Sequence, residues 1–390
     1  MSDSVMVTEE VQDDLLGRGF GRRDLARIAA VFGVGAAAAT LGRPAWASGG
    51  VPDPAPTARV RIGANECWTG PFMPGQKAAA AIIASGNRYS PHDERGDFIK
   101  AVMAVENVPY DHVAPWPGSS DPLSRAVVTF CSPGRGLVTA DPTFELAGRT
   151  AQWLKVPVKA VPLTKDYTHD VKAMLAADPN AGLYYICTPN NPTGTITPLA
   201  DIEWLLDNKP ADAVVLIDEA YTHFAGVPTA SYLAPKRKDV IVMRTFSKIF
   251  GMAGMRMGFI MTNPDNLMKM MRYDGGMQSG ALPLPSLACA TASLTAAPLI
   301  VQRRAEMRTA RGLTLDHLKK YKGIEVKPTE ANMFMIDWKT KPARDVQAAF
   351  RKESIEIGRS WPIWPTVSRI TVGSAAEMKD FCTALDKIMA

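Results

Sequence analysis

Three short apolar runs constrain this chain more than any other feature. They are GLYYICT at 182–188, AVVLIDEA at 213–220 and DVIVMRTF at 239–246. Each is too short for a core helix and rich in β-branched and aromatic residues, so each reads as a strand buried on both faces. Amphipathic segments such as LADIEWLLDN at 199–208 lie between them. Strand, helix, strand in this order implies a parallel sheet with right-handed crossovers. Ligands of such sheets bind at the carboxyl ends of the strands. A chain of 390 residues has room for one large or two ordinary domains.

Polar clusters follow all three runs. The first leads into TPNNPTGT, the second ends in DEAY with Asp218, Glu219 and Tyr221, and the third ends in TFSK with Ser247 and Lys248. Taken singly, each has a plain structural explanation: a turn, a helix cap or an ion pair, and a lysine that snorkels to the surface. Together they deliver an amide, a carboxylate, a phenol and an amine to one edge of one sheet. Glycines at 251, 254 and 258 follow the lysine and are expected to let the backbone pass close to a ligand. The formal charge is +5 with no basic stripe, which gives nucleic-acid binding no support. None of the five cysteines forms a CxxC pair, so no zinc or other metal site is expected.

The motifs of the chain resemble those of the class I/II aminotransferases that use pyridoxal 5'-phosphate (PLP), and within them the histidinol-phosphate aminotransferase branch. The matching pieces are NECWTGP (65–71), NRYSP (87–91), PGSSD (117–121), DPTFE (141–145), PNNPTG (189–194), DEAY (218–221), SKIFGMAGMRMG (247–258), EANMF (330–334) and SRITVG (368–373). They stand in the family's order over most of the chain. The resemblance implies a large α/β domain that binds PLP on a mostly parallel central sheet flanked by helices. A smaller α+β domain would be built from the N-terminal arm and the C-terminal segment. The boundaries read from the sequence are 1–47 for an export signal, 48–94 for a linker and N-terminal arm, 95–295 for the large domain and 296–390 for the small one.

The resemblance also assigns roles. Lys248 would hold the cofactor covalently as a Schiff base and shuttle the proton at the substrate's α-carbon, which requires an amine well below its ordinary value of about 10.4. Asp218 would sit beneath the protonated ring nitrogen. Asn191 and Tyr221 would donate to the ring's phenolate oxygen, and Phe144 would stack on the ring where the family usually has tyrosine. The phosphate would lie at the helix N-terminus formed by Gly118, Ser119 and Ser120, with Ser247 and Arg256. Tyr89 would reach the phosphate of a neighbouring subunit, so a homodimer with shared active sites is implied. Arg369 would fork onto the substrate's α-carboxylate. Asn65 and Asn332 fall in motifs that line the same space, and Arg359 is the counterpart of an arginine that holds a substrate phosphate.

Two stretches depart from the family pattern. GGMQSGALPLPS at 275–286 stands where relatives carry a PYNVS-like stretch. Between Arg359 and Arg369, Trp361, Pro362, Ile363, Trp364 and Pro365 make a stiff apolar segment. One expectation is that these tryptophans pack into the small domain. The other is that at least one lines the pocket and favours apolar or aromatic amino acids over histidinol phosphate. Alternatives on the same fold are a PLP-dependent lyase or decarboxylase, or a PLP-binding protein without catalysis.

The N-terminus carries its own signal. Arg22 and Arg23 precede an alanine-rich stretch from Ile28 to Leu41, followed by Ala45 and Ala47 as an A-x-A cleavage pattern. This resembles a twin-arginine export signal. The apolar stretch of 14 residues falls short of the roughly 20 that span a bilayer, so cleavage after Ala47 would leave a periplasmic or secreted protein with no membrane anchor.

Overall fold

The computed structural model describes residues 8–32 and 58–389. Its strands are β1 (Val60–Ile62), β2 (Val113–Trp116), β3 (Leu137–Asp141), β4 (Val158–Pro162), β5 (Leu183–Cys187), β6 (Val214–Asp218), β7 (Val240–Thr245), β8 (Gly258–Thr262), β9 (Glu325–Val326), β10 (Met333–Asp337), β11 (Ile355–Ile357) and β12 (Val367–Thr371). Seven of them form one sheet in the order β2-β8-β7-β6-β5-β3-β4. Only β8 runs against its neighbours; β7, β6, β5, β3 and β4 are mutually parallel. The three apolar runs of the sequence are the central strands β5, β6 and β7.

Both faces of these strands are covered, as continuous apolar runs require. Tyr184, Ile186, Val215, Ile217, Val240 and Val242 enter one core. Leu183, Tyr185, Cys187, Leu216, Ile241 and Met243 enter the other. The register aligns Cys187 with Asp218 and Asp218 with Met243, so the three strands deliver their last residues at one level.

The smaller domain combines both ends of the chain. β1 pairs in parallel with β11, and β12, β10 and β9 form an antiparallel sheet. The 22-residue helix Ala297–Leu318 leads from the large domain into the small one.

Residues 8–32 form two helices, Glu9–Gly17 and Arg22–Val31. They pack on the large domain. Val11, Leu15, Phe20, Ile28 and Phe32 are buried in the core that holds Tyr185 and Trp116. Arg18 donates to the carbonyls of Val128 (2.8 Å) and Cys131 (2.6 Å). Phe32 stacks on Tyr273 with ring centroids 4.9 Å apart. Arg22 and Arg23 stay exposed in the first turn of the second helix. The alanine-rich stretch beyond Phe32 and the A-x-A pattern at 45–47 lie outside the described residues.

Candidate active site

At the carboxyl edge of the large sheet lies a cavity of about 440 Å³, lined among others by Asn65, Ser120, Asn191, Asp218, Lys248 and Arg369. Lys248 lies just beyond β7. Its Nζ donates to the Asn65 carbonyl (3.1 Å) and sits 5.3 Å from the Tyr221 ring centre. Burial, helped by the positive charge of Arg369, lowers its pKa to about 8, against the pull of Asp218. The neutral amine that a nucleophile or base requires is therefore far more populated near physiological pH than in an ordinary lysine, although still the minority form.

Asp218 ends β6 and is buried. Desolvation raises its carboxyl to about 6, although Tyr185 Oη (2.8 Å) and the Ala220 amide (3.1 Å) both donate to it. A carboxylate held this high by burial is stabilised by a cationic partner such as a protonated ring nitrogen. Tyr221 follows one turn later. Its hydroxyl accepts from Asn65 Nδ2 (3.1 Å), and burial pushes it well above the usual phenol range.

The anion cradle lies across the cavity. Ser120 opens the helix Ser120–Phe130, with Ser119 at its cap. Gly118 has φ of +88°, and a Cβ there would come within 2.3 Å of Arg256 Nη2. The glycine thus leaves the space that the guanidinium occupies. Arg256 donates to the Ala253 carbonyl (2.8 Å) and reaches Ser247 Oγ at 3.5 Å. Two serines, a helix N-terminus and an arginine converge on one volume, which is what a phosphate requires. Phe144 lines the same cavity.

Arg369, on β12, faces the site from the small domain. It donates to Asn191 Oδ1 (2.7 Å) and to the Gly63 carbonyl (2.7 Å). Among the described residues its buried Nε has no partner, and burial lowers its pKa to about 10. A buried guanidinium with a spare donor fits a bound carboxylate. Asn65, buried with φ of 55°, ties Tyr221 and Thr371 together.

Three expectations need correction, while Tyr89, expected to serve a neighbouring subunit, lies outside this chain's own cavity. Asn332 is fully buried behind the cavity and donates to the Glu66 carbonyl (3.4 Å), so it supports the wall without lining it. Tyr89 is fully exposed and does not join this chain's own site. The tryptophans between Arg359 and Arg369 do not line the cavity: Trp361 is buried with Met335 and Val367, and Trp364 packs beside it. Of the three glycines after the lysine, Gly251 abuts the backbone of Thr69 and Gly70, Gly258 abuts that of Gly118, and Gly254 faces open space. The first two serve close chain packing and leave the ligand volume untouched.

Tyr185 escaped sequence reasoning. It is one of two tyrosines in β5, and alternation on the strand puts it on the same face as Cys187. Only the register reveals that this face is also that of Asp218, one diagonal step away. Glu219, by contrast, turns away from the cavity into a buried ion pair with Arg244 (2.7 Å). The 275–286 stretch caps and begins the helix Leu284–Leu294, and Arg95 holds it through the Ser279 carbonyl (3.2 Å).

The lysine, the buried carboxylate, the anion cradle and the carboxylate-ready arginine all fit PLP and an amino-acid substrate. Comparisons with known proteins agree. Residues 61–385 match the model of the aminotransferase class I and II family. The aromatic amino acid aminotransferase of Rhodococcus jostii is 31% identical over 325 residues, covering 83% of this chain and 88% of its own. The histidinol-phosphate aminotransferase of Moorella thermoacetica is 28% identical over 342 residues, covering 85% and 86%. Among solved structures, the histidinol-phosphate aminotransferase of Sinorhizobium meliloti in complex with pyridoxal-5'-phosphate superposes with a TM-score of 0.76 at 22% identity, covering 85% and 90%. With the site at its sheet edge and the family match spanning both domains, this chain belongs to the class I and II aminotransferases.

Proposed function

We propose that the enzyme is a PLP-dependent transaminase of apolar or aromatic L-amino acids, with a 2-oxo acid as acceptor. The observation that carries the reaction class is the amine of Lys248, lowered to about 8, in one cavity with the buried carboxylate of Asp218. Bound here, PLP supplies an electron sink for the carbanion at the substrate's α-carbon. Arg369 takes the α-carboxylate through its spare Nε and its fork, which turns the α-carbon toward Lys248. Lys248 Nζ removes and returns the α-proton. Asp218 would hold the proton of the ring nitrogen in place, and Asn191 and Tyr221 would donate to the ring's phenolate oxygen.

The substrate class draws on the aromatic amino acid aminotransferases among the relatives. A competition assay of phenylalanine, tyrosine, leucine and histidinol phosphate, with 2-oxoglutarate or pyruvate as acceptor, tests it. Higher kcat/KM for an aromatic or apolar amino acid is expected. Preference for histidinol phosphate by tenfold or more overturns it.

Export through Arg22 and Arg23 is part of the same reading. It is supported by the exposed pair at the head of its helix and by the A-x-A pattern at 45–47. Such a route carries folded proteins with cofactor already bound. Replacing both arginines by lysine is expected to hold the chain in the cytoplasm, and the exported form is expected to begin at Ser48. An exported form that begins near Met1 refutes cleavage.

A further inference from the structure

Arg359 and Glu145 face each other across the domain boundary, and both line the cavity. Glu145 lies between β3 and the helix Leu146–Trp153 of the large domain. Arg359 follows β11 in the small domain. Glu145 Oε1 accepts from Arg359 Nη2 and from Trp361 Nε1 (3.1 Å). The Arg359 guanidinium lies 4.9 Å from the Trp361 ring centre, and that of Arg369 lies 5.8 Å from the same ring. The Arg359 carbonyl also accepts the Arg369 amide (3.3 Å), so the two arginines are neighbours on paired chain.

Two cations thus line the cavity, and they differ in their partners. Arg369 keeps a donor free. Arg359 already has a carboxylate. We propose that Glu145 is a specificity-determining residue, which masks Arg359 and disfavours amino acids whose side chains end in an anion. The inference rests on the substrate reading above and supplies its physical cause.

The argument is electrostatic. A side-chain phosphate would have to take the Arg359 donors from Glu145 and then lie against a displaced carboxylate, an arrangement of like charges in a partly desolvated cavity. A neutral side chain leaves the pair intact and needs no charge desolvated. Trp361 fixes the pair in place: its indole N–H holds the Glu145 oxygen that Arg359 also uses, and its ring backs the guanidinium. The buried tryptophan thus acts on specificity through the pair, without touching the substrate.

The test uses the PLP-loaded full chain. The readout is the ratio of kcat/KM for histidinol phosphate to kcat/KM for phenylalanine. Glu145→Gln keeps the shape and an acceptor for Trp361 but removes the charge, so the ratio is expected to rise fivefold or more, chiefly through KM for the phosphate. Arg359→Leu in the native background leaves the Glu145 charge without its cation and is expected to lower the ratio by fivefold or more. In the double variant, the gain from Glu145→Gln is expected to vanish, because the unmasked cation is gone. A rise of less than fivefold in Glu145→Gln, or the same rise in the double variant, overturns the inference. If Glu145→Gln does not fold, a fall of less than fivefold in Arg359→Leu overturns it. Failure of the substrate reading is distinguishable, because the native enzyme alone reports it.

Discussion

Burial decides the ionisation of the reacting groups. Burial lowers the Lys248 amine to about 8, against about 10.4 for a free lysine. Lowering the value means that the ammonium loses its proton at a lower pH. The rate at which cofactor-free protein takes up PLP, followed as growth of the yellow chromophore, should therefore rise with pH and level off above about 8. A rise that continues to pH 10 would mean that the amine is solvated. Lys248→Ala should abolish turnover while the phosphate cradle still binds the cofactor reversibly. Tyr185 acts one layer below. Its hydroxyl stabilises the ionised form of Asp218, and a hydrogen bond to a charged group contributes about 1.5–3 kcal/mol. Tyr185→Phe should raise the Asp218 pKa further, so the acid limb of kcat/KM moves to higher pH and the rate falls about tenfold. An unmoved acid limb would reduce Tyr185 to a packing residue.

At the scale of elements, the N-terminal helices are the part whose fate is open to measurement. Leu15 and Ile28 are fully buried against the large domain, and truncating such residues to alanine destabilises a fold by about 2–5 kcal/mol. Leu15→Ala and Ile28→Ala should lower the denaturant midpoint of the full-length chain. Unchanged midpoints would show that the helices are not docked in solution. In an exported form that begins at Ser48, the same core face would be uncovered, so that form should be less stable than the precursor. The strand elements were legible from the start, because β5, β6 and β7 are continuous apolar runs. The partnership of Tyr185 with Asp218 was not, because it depends on which residues stand in register across two strands.

The whole molecule raises the question of subunits. Tyr89 is fully exposed, while its proposed task is to meet a phosphate in a neighbouring copy. If sites are shared, a subunit carrying Lys248→Ala can still lend its Tyr89, and one carrying Tyr89→Ala still holds its own lysine. Mixing the two inactive or weakened proteins under exchange conditions should restore one complete site per heterodimer and recover activity. No recovery would mean that each chain builds its site alone.

Local chemistry determined what the sequence could give unaided. Strand-length apolar runs identified the sheet, and the turn-forming PNNPTG with a lysine, a carboxylate and two serines at strand or helix ends pointed to a polar site at its edge, because each depends only on neighbours along the chain; the cofactor came from the resemblance of the motifs to one family. Tertiary structure alone decided the rest. It turned Glu219 toward Arg244 while Asp218 faced the cavity, put Asn332 behind the wall, buried Trp361, and brought Glu145 onto Arg359 across 214 positions of chain. These outcomes follow from strand register and from the docking of one domain on another. Both are set by the packing of many distant residues at once, so no short stretch of sequence contains them.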